Sequence, residues 1–432
     1  MSLLDVQAVP RMFKVRQEFP RPEPLDVPST VAAQIASVQD RLQPHARVAV
    51  TVGSRGISNI REIVRAVLDA LKAAGVQPFI LPAMGSHGGA TPEGQKRILA
   101  DYGITEETMG VPIEAAMATR EVGRTADGIR VFTSAVALEA DGIVVLNRVK
   151  PHTDYFSRTL GSGLIKMMVV GMGKHDGAAN FHRTAVHRGY EETLRMLGRV
   201  VLREAPILFG IGLVEHQYHD TARIEAVRPE DIEAREAELF AEAAALLPKL
   251  PFDDADLLVV DQIGKNISGP GMDPNVIGRH AHHYSTLLQN ALEVTPFIRR
   301  IYVRGLTPQT HGNAIGVGLA DAVHVRLTEA MDAESTFVNV RTSLTLHNAK
   351  MPMHFSNDRA ALAGLLDSLA LPDPAQARVM RIRNTLDLAQ LELSEAFVNE
   401  VATREDLKAL SEPAEWGFND DNLTDHFSPL EL

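Results

Sequence analysis

Residues 47–85 constrain the fold more than any other part of the chain. RVAVTVG at 47–53 is an apolar, β-branched run of the kind that forms a strand buried on both faces. SRGISN then turns the chain, with Ser58 or Asn59 placed to cap a helix. Ile60, Ile63, Val64, Val67, Leu68 and Leu71 recur at helical spacing, and Gly75 ends the helix. FILPAMG at 79–85 is a second strand. Strand, helix and strand in that order make a βαβ unit, which implies a parallel sheet with helices on its faces.

The same style continues. GSHGGATPEG at 85–94 is a Gly-rich loop, after which Thr91 as cap and Pro92 at the first helical position start another helix. Strands are expected at 129–133, 143–149, 206–213 and 256–261, and a strong helix at 229–247. PKLPFDD at 248–254, with two prolines and two aspartates, is the best domain boundary. Beyond it, strands are expected near 297–305 and 377–384, helices near 320–332 and 358–369, and an acidic tail laid on the surface. The fold class is therefore α/β, with two domains, 1–250 and 251–432. Each is a mostly parallel sheet with flanking helices, and the active site is expected in the cleft between them.

Composition narrows the function. The 432 residues carry a formal net charge of −12 and no block of Lys and Arg, which argues against a nucleic-acid partner. There is no cysteine, so disulfides, thiolate metal sites and a cysteine nucleophile are excluded. The longest apolar stretch, Leu164 to Gly173, contains Lys166 and is too short to span a bilayer. With no signal-peptide pattern at the start, a cytoplasmic protein without membrane contact is expected.

In an α/β sheet, ligands bind beyond the carboxyl ends of the strands. Arg55, Ser86, His87, Lys150, His152, Gln262 and Lys265 all follow expected strands. Lys166 lies in GSGLIKMMVVGMG with no acidic residue nearby, so its ammonium either reaches solvent or is desolvated and chemically attached to something. His175, His182 and His187 follow, and any of them could ligate nickel, copper or zinc as a neutral imidazole. VGMGKHDG around Lys174 fails as a phosphate loop, because Met168 stands where the first glycine belongs and His175 where Ser or Thr belongs. EHQYHD at 215–220 reads as a polar turn more readily than as a metal site, and GRHAHHYS at 278–285 lacks a recognised spacing.

Together, SRG at 54–56, GSHGGATPEG at 85–94, VKPHTD through Lys166 to AANFH at 149–182, and QIGKN at 262–266 resemble the nickel-dependent lactate racemase superfamily. The chain is closer to a branch with a PHTD motif than to the lactate racemases themselves. The resemblance implies nickel in a pincer nucleotide, a pyridinium-3-thioamide-5-thiocarboxylic acid mononucleotide, attached through Lys166 in the N-terminal domain, with the C-terminal domain closing over the site. It implies His182 as the ligand to nickel, sixteen residues after the lysine, although His175 stays open on spacing. His87 and His152 match the paired acid and base, while Arg55, Gln262 and Lys265 match substrate contacts.

The implied activity is a racemase or epimerase of a small 2-hydroxy acid, with that acid and the cofactor maturation enzymes as partners. Cα–H of such an acid is barely acidic, so hydride transfer through a transient 2-keto acid avoids the carbanion. An imidazole suits the accompanying proton transfer near neutral pH. Val52 stands where the family has an aspartate, and SRTLGSGL replaces a Gly-Phe-Ser-Gly-Gly pattern. Trp416, the only tryptophan, matches no active-site aromatic. These departures open the reading to a larger or more polar acid than lactate. Alternatives are a redox or isomerising enzyme using the same cofactor on another alcohol, a binding protein that keeps the fold, and a zinc hydrolase built on the histidines at 175–187.

Overall fold

The computed structural model describes residues 9–54, 56–153, 157, 159–280, 295–424 and 427. The chain forms two compact units. One runs from Pro20 to Leu247, and the other joins the residues before Pro20 to those after Leu247, with Thr153 counted in the second. The 1–250 and 251–432 succession therefore needs amending at its start. Strand β1 (Met12–Gln17) pairs with β14 (Gln390–Ser394) and β15 (Leu407–Ala409) in the sheet of the C-terminal unit. Alternating burial along MFKVRQ fits that place, with Phe13 and Val15 turned into the core.

In the N-terminal unit, β2 (Arg47–Val52), β3 (Gln77–Pro82), β6 (Gly142–Arg148) and β7 (Ile207–Glu215) are parallel, in the order β3-β2-β6-β7. Strand β8 (Thr221–Val227) closes the sheet as an antiparallel edge. The helix Ile60–Ala73 buries the six residues that its periodicity selects, and they pack with Val48, Val50 and Val52 of β2. Its start differs from the expectation. Asn59 takes the cap position at φ 56° without a capping hydrogen bond, and its side chain donates to Asp220 at 2.7 Å instead. The Ser58 amide is taken by the Glu215 carboxylate. Thr91 does cap the helix Pro92–Asp101, accepting from the Gly94 amide at 3.1 Å. The strand near 129–133 forms outside the main sheet, as β5 (Arg130–Ser134) in a hairpin with β4 (Thr119–Arg124).

In the C-terminal unit, β9 (Asp254–Val260), β10 (Phe297–Val303), β11 (Ala322–His324), β12 (Met353–Phe355) and β13 (Val379–Ile382) are parallel, and β14, β1 and β15 continue antiparallel. Along β9, Leu258 and Val260 enter one core while Leu257 and Val259 enter another, so the sheet is covered on both faces. The helix expected at 320–332 begins only at Val325, because Ala322–His324 is used as a strand. Among the described residues no helix is long and apolar enough to cross a membrane.

The tail is not simply laid on the surface. Trp416 and Leu423 are buried, and Arg304 and Arg381 donate to the carbonyls of Leu423 and Thr424 at 2.6 and 3.0 Å. Those two arginines sit in a closed set of buried charges. Arg304 pairs with Asp261 and Asp358, and Arg381 with Asp261 and Glu392, all within 3.0 Å. Asp358 also accepts from the Tyr302 hydroxyl at 2.7 Å and the Leu423 amide at 2.8 Å. Breaking such a set strands buried charge. Replacing Arg304 with Met is expected to cost about 3–5 kcal/mol in a urea titration of the full chain. A loss below about 1 kcal/mol would put the cluster on a par with exposed ion pairs.

Candidate active site

Parallel pairing puts the residues after β2, β3 and β6 on one edge of the N-terminal sheet, the edge where such sheets bind ligands. Ser54 follows β2, His87 follows β3 and His152 follows β6. His87 is exposed, and its Nδ1 is hydrogen-bonded to Ser54 Oγ. The Ser54 carbonyl in turn accepts from the Tyr102 hydroxyl at 2.8 Å. Arg55 lies outside the described residues.

His152 is half-buried, with its ring centroid 4.9 Å from that of Tyr190. Phe181 meets Tyr190 edge-on at 5.4 Å and His182 at 5.3 Å, so a run of rings links His152 to His182. The Tyr190 hydroxyl donates to Gly161 O at 2.9 Å, which fixes the ring at the start of the loop bearing Lys166. That loop is zipped to the end of β6, where Lys150 and Ser162 exchange amide hydrogen bonds of 2.8 Å.

Lys166 ends a single helical turn, Leu164–Lys166, and a π-helical turn, Met167–Gly171, follows at once. Such turns widen a helix at a local cost and recur at functional sites. The side chain is half-buried, and Nζ lies 3.4 Å from Ser162 Oγ. No acidic residue is near in sequence, but one is near in space to the turn itself. Glu236, wholly buried on the helix Ile232–Leu246, accepts the Ile165 amide at 2.8 Å through Oε2. A side chain at Gly163 would meet Glu236 Oε1 at 2.0 Å, which is why glycine precedes the turn. Burial pushes the Glu236 carboxyl up to about 7.

His182 lies in the helix Lys174–Arg188, with Nδ1 buried and, among the described residues, without a hydrogen-bond partner. Burial brings its pKa down to about 4, and the charge of Lys166 adds to the effect. It is thus a neutral imidazole at pH 7, the form that ligates metals. His175 and His187, on the same helix, are exposed. Among the described residues no three His, Asp or Glu side chains converge as a metal site.

The N-terminal unit therefore gathers Ser54, His87, His152, Lys166 and His182 around one sheet edge and one helical segment. Residues 32–194 match the lactate racemase N-terminal domain family. That stretch of the N-terminal unit is thus similar to a lactate racemase N-terminal domain. The lactate racemase apoprotein from Thermoanaerobacterium thermosaccharolyticum shares its fold at a TM-score of 0.52, with 12% identity over 87% of this chain and 98% of that one. A structural-genomics crystal structure from Thermotoga maritima is 15% identical over 57% of this chain and 66% of that one, at a TM-score of 0.44. No curated protein matches the chain.

Other candidates fall elsewhere. Gln262 and Lys265 follow β9 in the C-terminal unit, where their amides donate to Arg383 O at 2.9 Å and to Thr310 Oγ1 at 3.2 Å. EHQYHD is a polar turn between β7 and β8, in which His216 Nδ1 accepts the Tyr218 amide at 3.1 Å. GRHAHHYS lies outside the described residues from residue 281 onward. Tyr190 and Glu236 have no local signal in sequence, since each acquires its part only through a partner distant along the chain.

Two titrations test this electrostatic picture. The His182 imidazole in the cofactor-free protein should titrate by NMR with a midpoint near 4, and Lys166→Met should raise it by removing the second of its two causes. A midpoint near 6.5, the ordinary value, would contradict the burial. For Glu236 the folded-state pKa is raised, so folding favours the protonated form. The stability this contributes is complete below the ordinary value of 4.5 and is lost as pH rises through about 7. Urea midpoints should therefore fall between pH 5 and pH 7 more in the native chain than in Glu236→Gln, and parallel profiles would count against the assignment.

Proposed function

We propose that this chain is a racemase or epimerase of a small 2-hydroxy acid, working with a nickel-pincer nucleotide held on Lys166. The observation that carries the reading is His182, a half-buried, neutral imidazole whose buried Nδ1 has no hydrogen-bond partner among the described residues, and which feels the charge of Lys166 on the same helical segment. The residues fit the group. Among the described residues one imidazole alone is available, too few for a stable metal site, so a metal held at His182 would need its other donors from a molecule that Lys166 would retain. His175 and His187 are exposed, and among the described residues they do not converge with His182, which speaks against a zinc hydrolase built on 175–187.

When bound, the cofactor would supply a reversible hydride acceptor for the alcohol carbon. The protein's own residues handle the proton. His87 and His152 each take the hydroxyl proton from one enantiomer and return it to the other, a task suited to imidazole near neutral pH. Ser54 at Nδ1 orients the His87 ring, and the Tyr190 face limits the movement of His152. The resemblance assigns substrate contacts to Arg55, Gln262 and Lys265, and the proposal keeps them. The cofactor maturation enzymes are its implied partners.

The test is a peptide mass map of the chain co-expressed with those enzymes and nickel, followed by a screen of 2-hydroxy acids for loss of optical rotation. A nucleotide-sized adduct on Lys166 with racemisation is the expected result. His87→Ala and His152→Ala should each slow racemisation by roughly 10²–10⁴ while leaving the adduct in place. An unmodified Lys166, with maturation working on a control, overturns the reading. An adduct without racemisation of any 2-hydroxy acid points to another alcohol or to a binding protein.

A further inference from the structure

Lys174 takes no part in the chemistry above, yet it is among the most costly residues in the N-terminal unit. It is wholly buried, and its backbone holds φ 53°, a left-handed conformation that a lysine rarely adopts. Among the described residues no carboxylate pairs with it, and burial lowers its ammonium to about 8. A strained backbone and a desolvated charge at one position call for a compensating role.

Its contacts define that role. Nζ donates to the carbonyl of Pro82, the last residue of β3, at 2.5 Å, and to Gln95 Oε1 at 3.0 Å. Gln95 is also wholly buried, and its Nε2 donates to Gly85 O at 3.0 Å and to His87 O at 3.4 Å. An ammonium has donors only, so it can face only the oxygen of the Gln95 amide. That choice turns both Nε2 hydrogens toward the loop of His87. The loop is further held to the Lys166 segment by the Gly85 amide, which donates to Gly171 O at 3.1 Å. Gly88 and Gly94 meet backbone to backbone across it, where a side chain at Gly94 would lie 1.9 Å from Gly88 O.

We propose that Lys174 is a positioning residue for His87: its ammonium sets the Gln95 amide, and the amide holds the loop that presents the imidazole. The lysine stands eight residues after Lys166 and eight before His182, so one helical segment carries the tether, the ligand and the support for His87. The catalytic part given to His87 rests on the proposed function above. The support itself does not.

The experiment uses the full chain without cofactor, labelled with nitrogen-15 in His and Gln side chains. In the native chain the Gln95 Nε2 protons should exchange slowly with solvent, and the His87 ring nitrogens should show a single tautomer set by Ser54. Lys174→Met and Gln95→Glu should both move the His87 nitrogens toward a mixture of tautomers, leave the His182 signals in place, and make the amides of residues 85–90 exchange about tenfold faster. Gln95→Glu keeps a partner for the ammonium, so it carries the test if Lys174→Met does not fold. Gln95 protons that exchange like those of an exposed glutamine in the native chain overturn the proposal without any variant. So does an unchanged His87 signature in the variants, and a change with Gln95→Glu alone removes the lysine's part. Absence of an adduct on Lys166 would end the catalytic reading and leave these outcomes as they stand.

Discussion

Parallel pairing of β3, β2 and β6 is the constraint on which the rest of the candidate site depends. Three successive carboxyl ends are forced to one edge, so residues separated by about a hundred positions become neighbours without any special contact between them. The segment from Gly161 to Arg188 then has to return along that edge, and it is bound there at several points. Tyr190 holds Gly161, Glu236 holds Ile165, and Gly171 receives the amide of Gly85. Each contact fixes a piece of backbone rather than a catalytic side chain, which leaves the functional groups to project from a rigid base.

The two units treat buried charge in opposite ways. In the C-terminal unit, Arg304 and Arg381 are surrounded by carboxylates and carbonyls, and the set closes on itself. In the N-terminal unit, Lys174, Glu236 and the Nδ1 of His182 are buried with fewer partners than their chemistry allows, and their pKa values move accordingly. A closed set serves structure, whereas incompletely satisfied ionisable groups gathered around one segment are the usual mark of a working site.

Legibility in the sequence tracks the range of each interaction. The helix at 60–73 and the strands beside it could be read because periodicity and burial act over a few residues, and the Thr91 cap because it acts over three. Asn59 misled, since Asp220 competes for its side chain from the far end of another hairpin. Lys166 drew attention because its neighbours in sequence are apolar, yet the carboxylate beneath its turn comes from residue 236. Around Lys174 the sequence shows only a failed phosphate loop, for nothing local distinguishes a buried lysine from a solvated one. The strand at 12–17 is absent from the expected elements, and its alternation over six residues would in any case not say which sheet it joins.

That strand has a consequence for how the molecule comes into being. Met12 lies opposite Ser394, so the sheet of the C-terminal unit cannot be completed until most of the chain has been made. The N-terminal unit is contiguous apart from Thr153 and its neighbours, and its strands all emerge before residue 228. On a ribosome it can fold while β1 is still waiting for its partner. The late closure is a pairing of high sequence separation, the slow kind. A fragment that starts at residue 251 would lack the strand between β14 and β15, and would offer two unpaired edges to any neighbouring chain. The unit most open to being born alone is thus the one that holds Lys166 and His182, while the other depends on an end of the chain made long before it.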